Sequence, residues 1–325
     1  RDRIRCLEFR RVLFRSLKDL RHAIAEVFRN DRELAGRIMR ARDSSKDVFR
    51  DVETASERCR PDLYAIVRAN ARRAAEAVRA LEEYGKLIGD DISGEFKRIR
   101  FRLYDLEKRI FERFESLRRL WGNNGGVMVS IDRAASSSPP EDCAREAMDK
   151  GAGVILYRDK LSTDGEFVRV LSEIVRACRP PGALVIAADR VDAVMAAGAD
   201  GVVVGDGDIP AGACRSILGN SKIIGRSLRK DGIVSANAVD GSDFLIMDFR
   251  SCDGDHCLER PSLPDLGVPV VAVIDPRSMD GSQLRNAGVS GFCVFAEHIV
   301  GADIEAIRKK LETFPVACPA HQPKQ

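Results

Sequence analysis

The sequence predicts an α/β protein in which a (β/α)8 TIM barrel follows an all-α amino-terminal domain. From residue 127 onward, short runs rich in Val and Ile alternate with amphipathic segments, and Gly, Pro or a polar residue bounds each run. This pattern is typical of parallel strands that are buried on both faces. Before residue 122, apolar residues recur at intervals of three or four, which predicts helices. Eight regular strand–helix units favour a closed barrel over the alternative, a doubly wound open sheet.

The boundaries of the individual elements follow from the same pattern. Two long helices are expected at 61–88, where Pro61 suits the first turn, and at 94–121. Eight strands are expected at 127–132, 153–159, 183–189, 201–206, 222–227, 244–249, 269–275 and 291–296.

Changes in composition divide the chain into five segments. The first sixteen residues (1–16) resemble a translated sequencing-adaptor scar, so we expect them not to be native and the true start of the helical domain to be missing. The helical domain is placed at 17–121, and the Gly- and Asn-rich stretch 122–126 links it to the barrel at 127–314. The Pro-rich polar tail, 315–325, is expected to be disordered.

Composition indicates a cytoplasmic protein. No apolar run approaches the roughly 20 residues of a membrane-spanning helix, and no signal peptide is visible. Nine cysteines without paired spacing favour a reducing compartment. The helical half is basic, but its Arg residues alternate with Glu at helical spacing, which predicts a salt-bridged surface rather than a nucleic-acid interface. We expect no nucleic-acid or membrane partner and leave a homo-oligomer open.

Charged and polar residues stand where the predicted strands end. They are Asp132, Arg158, Lys160, Asp189, Asp206, Asp208, Ser227, Asp248 and Asp275. Because the carboxyl ends of barrel strands converge on one face, Asp189 and Asp208 are expected to lie close enough to share one Mg²⁺. Arg158 and Lys160, on the preceding strand end, are suited to neutralise phosphate oxygens. The combination predicts a diphosphate ligand; the alternative is that the aspartates are N-caps of the following helices.

These residues lie in segments that resemble, in order and spacing, the thiamine-phosphate synthase/TenI family. The segments are LYRDK (156–160), ADRVDAVMAAGADGVVVGDGDIP (188–210), ILGNSKIIGRS (217–227), GSDFLI (241–246), VPVVAV (268–273) and NAGVSGFCVF (286–295). The resemblance implies a Mg²⁺-dependent transferase of thiamine biosynthesis, which joins hydroxymethylpyrimidine diphosphate to thiazole phosphate and releases pyrophosphate. It implies that Arg158, Lys160 and Ser227 are catalytic residues that hold the diphosphate, and that Asp189 and Asp208 bind Mg²⁺.

Several positions depart from the pattern of that family. Ala188 stands where the family has Asn, and DFRSCDGDHC (248–257) replaces a phosphate loop that contains hydroxyls and Lys. Asp275 replaces a Gly, while Glu297 and His298, a possible general base, follow the eighth strand. Because anionic residues oppose a bound phosphate, two alternatives stay open. One is a non-catalytic barrel that binds a phosphorylated thiamine precursor, and the other is a TenI-like thiazole tautomerase.

The helical half resembles the domain fused ahead of some thiamine-phosphate synthases, which is suspected of being an alternative hydroxymethylpyrimidine-phosphate kinase. The similar segments are RARDSSKDV (40–48) and ANARRAAEAVRALEEYGKL (69–87). The resemblance implies a signature that comprises Asn70, Arg73, Glu76, Arg79, Glu82 and Glu83. The alternative is an ordinary charged helix face.

The cysteines provide one further candidate site. CDGDHC (252–257) offers ligands for Zn²⁺, but a four-ligand zinc site usually draws on a second, distant pair, which the sequence lacks. An exposed turn is therefore expected there. Cys143, Cys178, Cys214 and Cys293 are expected to be packing residues.

Overall fold

The computed structural model describes most of the two predicted domains. The described residues are 16–27, isolated positions between 29 and 41, residue 60, and 63–122, 126–180, 182–228, 241–250, 268–276 and 289–299. The predictions for the adaptor-like segment, for the CDGDHC turn and for the tail therefore lie outside the described residues, apart from residue 16. Within the part of the chain that the structure describes, no helix meets the length and hydrophobicity that a membrane span requires.

The chain divides into two compact units, and the division falls between Phe114 and Glu115. The first unit is helical, as the spacing of apolar residues predicts. Helix α1 comprises Leu63–Gly85 and helix α2 comprises Asp90–Gly122, so α2 runs through the division. Residues 16–27 are also helical. The core of this unit is the buried set Leu20, Val78, Phe96, Ile99, Leu103 and Leu106.

The second unit is a closed barrel of eight parallel strands, in the order β1 to β8, and β8 pairs with β1. The strands are β1 (Val127–Asp132), β2 (Val154–Arg158), β3 (Leu184–Ala188), β4 (Gly201–Val204), β5 (Ile223–Leu228), β6 (Phe244–Asp248), β7 (Val270–Val273) and β8 (Gly291–Phe295). The described helices between them are α3 (Pro140–Asp149), α4 (Asp164–Cys178), α5 (Val191–Ala197) and α6 (Ala211–Leu218). The prediction of a (β/α)8 TIM barrel with eight strands is confirmed.

The side chains of each strand alternate between two buried layers, as the period of two requires. On β2, for example, Ile155 and Tyr157 pack in the layer between the strands and the helices, whereas Val154 and Leu156 belong to the layer inside the barrel. Trp121, from the end of α2, joins the inner layer, and its ring centroid lies 6.5 Å from that of Phe244. At the end of each strand, this alternation determines which residue continues the inner layer of side chains and so faces the mouth of the barrel.

The described cysteines are packing residues, as predicted. Cys178, Cys214 and Cys293 are buried, Cys143 is half-buried, and all four are free thiols. Burial raises the pKa of Cys178 and of Cys293 to about 12. These thiols therefore stay protonated near neutral pH.

One buried ion pair lies at the opposite end of the barrel from the strand carboxyl ends. Asp243, which precedes β6, is fully buried, and its Oδ2 accepts hydrogen bonds from Arg215 Nη2 at 2.6 Å and from the amide of Ile224 at 2.7 Å. Arg215 also donates to the carbonyl oxygens of Gly219 and Lys222. The pair thus ties α6 and the start of β5 to the start of β6.

Candidate functional site

The strand-end aspartates are not the N-caps of the described barrel helices. The residues at the N-cap positions of α3 to α6 are Pro139, Thr163, Arg190 and Pro210. Thr163 forms a capping box with Glu166, and the other three caps make no side-chain hydrogen bond. The capping alternative is therefore wrong for these helices, and the carboxylates at the strand ends have other partners.

Asp132 and Arg158 are paired across the ends of β1 and β2. They stand opposite each other in the strand register, and Arg158 Nη1 lies 3.4 Å from Asp132 Oδ2. Both side chains are in phase with the inner layer of the barrel. The carboxylate of Asp132 also accepts a hydrogen bond from the amide of Ala134 at 3.0 Å, which holds the turn after β1. Arg158 is therefore oriented at the barrel mouth and remains partly exposed.

Lys160 and Asp189 are brought together from the ends of β2 and β3. The ammonium nitrogen of Lys160 lies 3.6 Å from Asp189 Oδ2. Strand alternation alone would place Asp189 out of phase with the barrel interior, because Ala188 belongs to the inner layer. Asp189 instead has φ 66°, which makes it the one non-glycine residue with positive φ in the described ranges. Aspartate tolerates this left-handed conformation better than most residues, and unusual backbone conformations cluster at functional sites.

A second carboxylate, that of Asp208, lies beside Asp189. Burial raises the pKa of Asp189, and the charge and hydrogen bonding of Asp208 raise it further. Lys160 and Arg158 act in the opposite direction, but the net shift of this pKa is upward. Two adjacent carboxylates that repel each other are a site where a divalent cation would be stabilised.

The turn after β4 fixes the position of Asp208. Its Oδ2 accepts a hydrogen bond from the amide of Gly205 at 2.7 Å. A side chain at position 205 would approach this oxygen, since an added Cβ would lie 3.2 Å from it. Asp206, the other acid of this turn, pairs with Arg226 on β5 at 3.2 Å. The two acids therefore differ: Asp208 joins the Asp189 cluster, and Asp206 does not.

Ser227 is half-buried on β5 and is in phase with the inner layer residue Ile223. It is separated from Asp189 by β4 in the strand order. The structure places Ser227 at the barrel mouth but shows no direct bond to Arg158, Lys160 or Asp189. Its predicted role toward a diphosphate stays a prediction.

In the described part of the mouth, an acidic residue lies at or just after the end of each of β6, β7 and β8. Asp248, at the end of β6, pairs with Arg250 at 2.7 Å, and the Arg250 guanidinium lies 4.3 Å from the ring centroid of Phe295. Asp275, two residues after Val273 of the inner layer, is half-buried, and Glu297 is exposed. Asp248 and Asp275 lie across the mouth from Lys160 and Asp189, since β6 and β7 are three or four strands from β2 and β3 around the closed barrel. Glu297, after β8, is two strands from β2.

Two charged residues near Lys160, Asp159 and Arg190, were missed as candidates in the sequence. Asp159 is only 5% exposed, and Tyr157 donates a hydrogen bond to it at 3.0 Å. Arg190 follows Asp189, donates to the carbonyl oxygen of Ser162 at 3.3 Å, and pairs with Asp164. Asp159 stands between Arg158 and Lys160 in the sequence. Its burial could have been inferred from strand alternation, because it is in phase with the buried residue Tyr157.

The helical signature divides into an exposed part and a buried part. Asn70, Arg73, Glu76 and Arg79 are exposed, as a charged helix face predicts. Glu82 is buried, and its Oε2 accepts a hydrogen bond from Arg100 Nε of α2 at 2.7 Å. The hydrogen bond from Arg100 lowers the pKa of Glu82, so this carboxylate is ionised and joins α1 to α2. Glu82 is therefore not part of an ordinary exposed face.

The fold and this cluster together define a (β/α)8 barrel protein whose mouth presents a cationic pair beside a pair of carboxylates. Residues 127–247 match the family model for thiamine monophosphate synthase, and residues 2–109 match the ThiD2 family model. The chain belongs to the thiamine-phosphate synthase family, with a ThiD2-type region ahead of the barrel. The ThiD2 match extends into the first sixteen residues, whose expected origin stays a prediction.

Individual relatives support the same assignment. The thiamine-phosphate synthase of Synechocystis sp. is 32% identical over 242 residues, which are 72% of this chain and 65% of the relative. That of Thermosynechococcus vestitus is 31% identical over 228 residues, or 70% of this chain and 62% of the relative. That of Parasynechococcus marenigrum is 30% identical over 260 residues, or 79% of this chain and 70% of the relative. The chain thus covers slightly less than two thirds of the length of the first two relatives.

Proposed function

We propose that the barrel joins hydroxymethylpyrimidine diphosphate to thiazole phosphate and releases pyrophosphate, which forms thiamine phosphate. The observation that carries this proposal is the cluster of Lys160, Asp189 and Asp208 at three successive strand ends, with Arg158 beside it. Membership of the family supports the same reaction. The activity makes this protein a transferase of thiamine biosynthesis, and the free thiols of the barrel fit the proposed cytoplasmic location.

In this reaction the bond between the pyrimidine methylene carbon and the diphosphate oxygen breaks, and the electron pair leaves with pyrophosphate. The thiazole nitrogen then forms the new carbon–nitrogen bond with its lone pair. The demanding step is the departure of pyrophosphate, because negative charge develops on it. Arg158 and Lys160 supply fixed positive charge at this position, and Ser227 can donate a hydrogen bond.

The carboxylates of Asp189 and Asp208 fit a Mg²⁺ ion. Two carboxylates are the usual protein contribution to a Mg²⁺ site, and phosphate oxygens and water complete the octahedral shell. Within the described ranges no group of three or more His, Cys, Asp and Glu residues could hold a metal, so these residues do not favour a structural zinc site. The ion would neutralise charge on the leaving pyrophosphate.

A second candidate function is favoured by the acidic side of the mouth. Asp275 and Glu297 follow β7 and β8, where the resemblance implies a glycine and small or hydroxyl residues, and acidic side chains there oppose a bound thiazole phosphate. A barrel that binds the pyrimidine diphosphate without turnover fits this charge distribution. A TenI-like tautomerase fits it less well, because its thiazole phosphate would meet the same acids.

The test is a product assay with the full chain. Hydroxymethylpyrimidine diphosphate and thiazole phosphate are incubated with Mg²⁺ or with excess chelator, and thiamine phosphate and pyrophosphate are quantified. Equal amounts of both products that depend on Mg²⁺ are expected. Binding of the diphosphate without either product would support the second candidate, and a change of the thiazole phosphate alone would support the tautomerase.

A further inference from the structure

The segment that carries Lys160 is fixed by the buried carboxylate of Asp159. Asp159 Oδ1 accepts hydrogen bonds from the amides of Leu161 at 2.9 Å and Ser162 at 3.0 Å. These amides follow Lys160 directly, so the carboxylate of the preceding residue fixes the backbone just after Lys160. Burial raises the pKa of Asp159, but the hydrogen bonds from Ser162, Leu161 and Tyr157 outweigh burial, and the net shift is downward. Asp159 is therefore ionised and acts as an acceptor for all of these donors.

The other oxygen of Asp159 is anchored in the core. Its Oδ2 accepts the hydrogen bond from the Tyr157 hydroxyl. Tyr157 is fully buried, and its ring centroid lies 5.0 Å from that of Phe167 on α4. Burial raises the pKa of Tyr157, so the hydroxyl stays protonated and remains a donor. The Lys160 segment is thereby tied to the layer between the barrel and its helices.

Arg190 ties the same segment to the turn that carries Asp189. It is the next residue after Asp189, and Nη2 donates to the Ser162 carbonyl oxygen at 3.3 Å. Its Nη1 pairs with Asp164, and the guanidinium carbon lies 4.9 Å from the Phe167 ring centroid. Both ends of the Lys160–Asp189 contact are thus joined through Ser162 and Phe167. Lys160 itself is 64% exposed, so its own packing cannot fix this distance.

We propose that Asp159 and Arg190 are positioning residues, which set the separation of the Lys160 ammonium group from the Asp189 carboxylate. They touch neither the diphosphate nor the cation; they act through the backbone of residues 160–162 and through the Asp189 turn. This positioning role rests on the proposed function. In that function, Lys160 holds the diphosphate while Asp189 and Asp208 hold the cation, so the distance between Lys160 and Asp189 matters for binding both. Removing a residue that orients the binding groups of a metal site typically lowers affinity or activity by about 10–100-fold.

The test compares Asp159→Ala, Arg190→Lys and the double variant with the unaltered full chain. Arg190→Lys keeps the charge but loses the planar fork that reaches Ser162 and Asp164 together. Two exposed residues outside this segment provide matched controls, Asp142→Ala on α3 and Arg169→Lys on α4. The measurements are the affinity for inorganic pyrophosphate in the presence of Mg²⁺, kcat and KM for the diphosphate substrate, amide hydrogen exchange at Leu161 and Ser162, and thermal unfolding.

Each single variant is expected to weaken pyrophosphate binding by about 10–100-fold, and Asp159→Ala to speed exchange at Leu161 and Ser162. In the double variant, the fold-loss of pyrophosphate affinity is expected to be smaller than the product of the two single fold-losses, because both residues act on one segment. Controls should stay within about twofold of the unaltered chain. Unchanged affinity in variants that only unfold at lower temperature would overturn the assignment, as would strictly multiplicative losses.

If the unaltered chain binds no pyrophosphate, the proposed function fails and the assignment fails with it. Normal pyrophosphate binding without product formation overturns only the proposed reaction.

Discussion

Lys160 and Asp189 form an ion pair of 3.6 Å between the ends of two adjacent barrel strands, although neither strand geometry nor side-chain packing requires it. The contact depends on the left-handed backbone of Asp189, with φ 66°, and on the bonds that fix the Lys160 segment. A pair of opposite charges beside a second carboxylate, that of Asp208, can receive a phosphate on one side and a cation on the other.

Replacing Asp189 should weaken Mg²⁺ binding without unfolding the barrel. Asp189→Asn is the informative change, because Asn tolerates positive φ and keeps the shape of the side chain. We expect the affinity for Mg²⁺ in the presence of pyrophosphate to fall by at least about 10-fold. Removing a residue that only hydrogen-bonds a metal ligand typically costs about 10–100-fold, and a ligand itself should cost no less. Isothermal titration measures this affinity. Asp192→Asn, an exposed acid of α5, is the control and should have no effect.

Removing the charge of Lys160 should weaken binding of the diphosphate rather than of the thiazole. Lys160→Gln is expected to raise KM for the pyrimidine diphosphate by about 10–100-fold, which corresponds to one hydrogen bond to a charged group. Steady-state kinetics with each substrate varied in turn provide the measurement. Lys108→Gln, an exposed lysine of α2, serves as the control. An equal rise in KM for thiazole phosphate would place the diphosphate elsewhere.

Mg²⁺ affinity should fall as the pH is lowered. The pKa of Asp189 is raised by burial and by Asp208, so this group takes up a proton at higher pH than an ordinary carboxyl. A proton competes with the cation, and Mg²⁺ binding should release protons as the pH approaches that raised pKa. Titrations at decreasing pH in buffers of different ionisation enthalpy measure both effects. In Asp189→Asn the proton release should be smaller; an unchanged release would assign it to another group.

The buried pair of Arg215 and Asp243 should matter for stability. Asp243→Asn leaves the Arg215 charge in a buried environment without its carboxylate partner, and breaking such a pair costs about 3–5 kcal/mol. Denaturant unfolding of the full chain, followed by a barrel-specific probe such as Trp121 fluorescence, gives this free energy. Asp142→Asn, which breaks an exposed pair with Arg145, should cost only about 0–1 kcal/mol. Equal losses in the two variants would contradict the account.

The charge of Asp275 should oppose the second substrate. Asp275→Asn is expected to lower KM for thiazole phosphate by up to about fivefold, the range of a partly exposed charge interaction. The KM for the pyrimidine diphosphate should not change, because the diphosphate lies near β2 and β3. Initial rates at fixed saturating diphosphate supply the measurement. A higher KM for thiazole phosphate would mean that Asp275 helps to bind this substrate.

The sequence predicts the barrel closely because its signal is local. All eight strands were predicted, with ends within about two residues, since Val- and Ile-rich runs between Gly, Pro and polar residues allow few other structures. The long helices α1 and α2 were predicted in the same way; α2 begins at Asp90 rather than at residue 94, where acidic residues in the first turn favour a helix start.

The grouping of the strand-end residues was predicted, but their contacts were not. Strand-end positions placed Arg158, Lys160, Asp189 and Asp208 at one face, and the structure groups them there. The pattern could not show that Asp206 pairs with Arg226, because that bond joins residues twenty positions apart, one in the turn after β4 and the other on β5. Nor could it show the positive φ of Asp189, which depends on tertiary packing. Asp159 was missed because the apolar pattern does not report hydrogen bonds, even those to residues two or three positions away. Arg190 was missed because Ser162 and Asp164 become its neighbours only when β2 and β3 pair.

The most direct test is the rate of thiamine phosphate formation by the full chain and by its Asp189→Asn variant, each at saturating substrates and at 0 or excess Mg²⁺. The account predicts Mg²⁺-dependent formation by the unaltered chain and a loss of at least about 100-fold in the variant, the upper range for residues that support a metal site. Formation that is equal in the two proteins, or that is independent of Mg²⁺, would contradict the role of the Asp189 cluster.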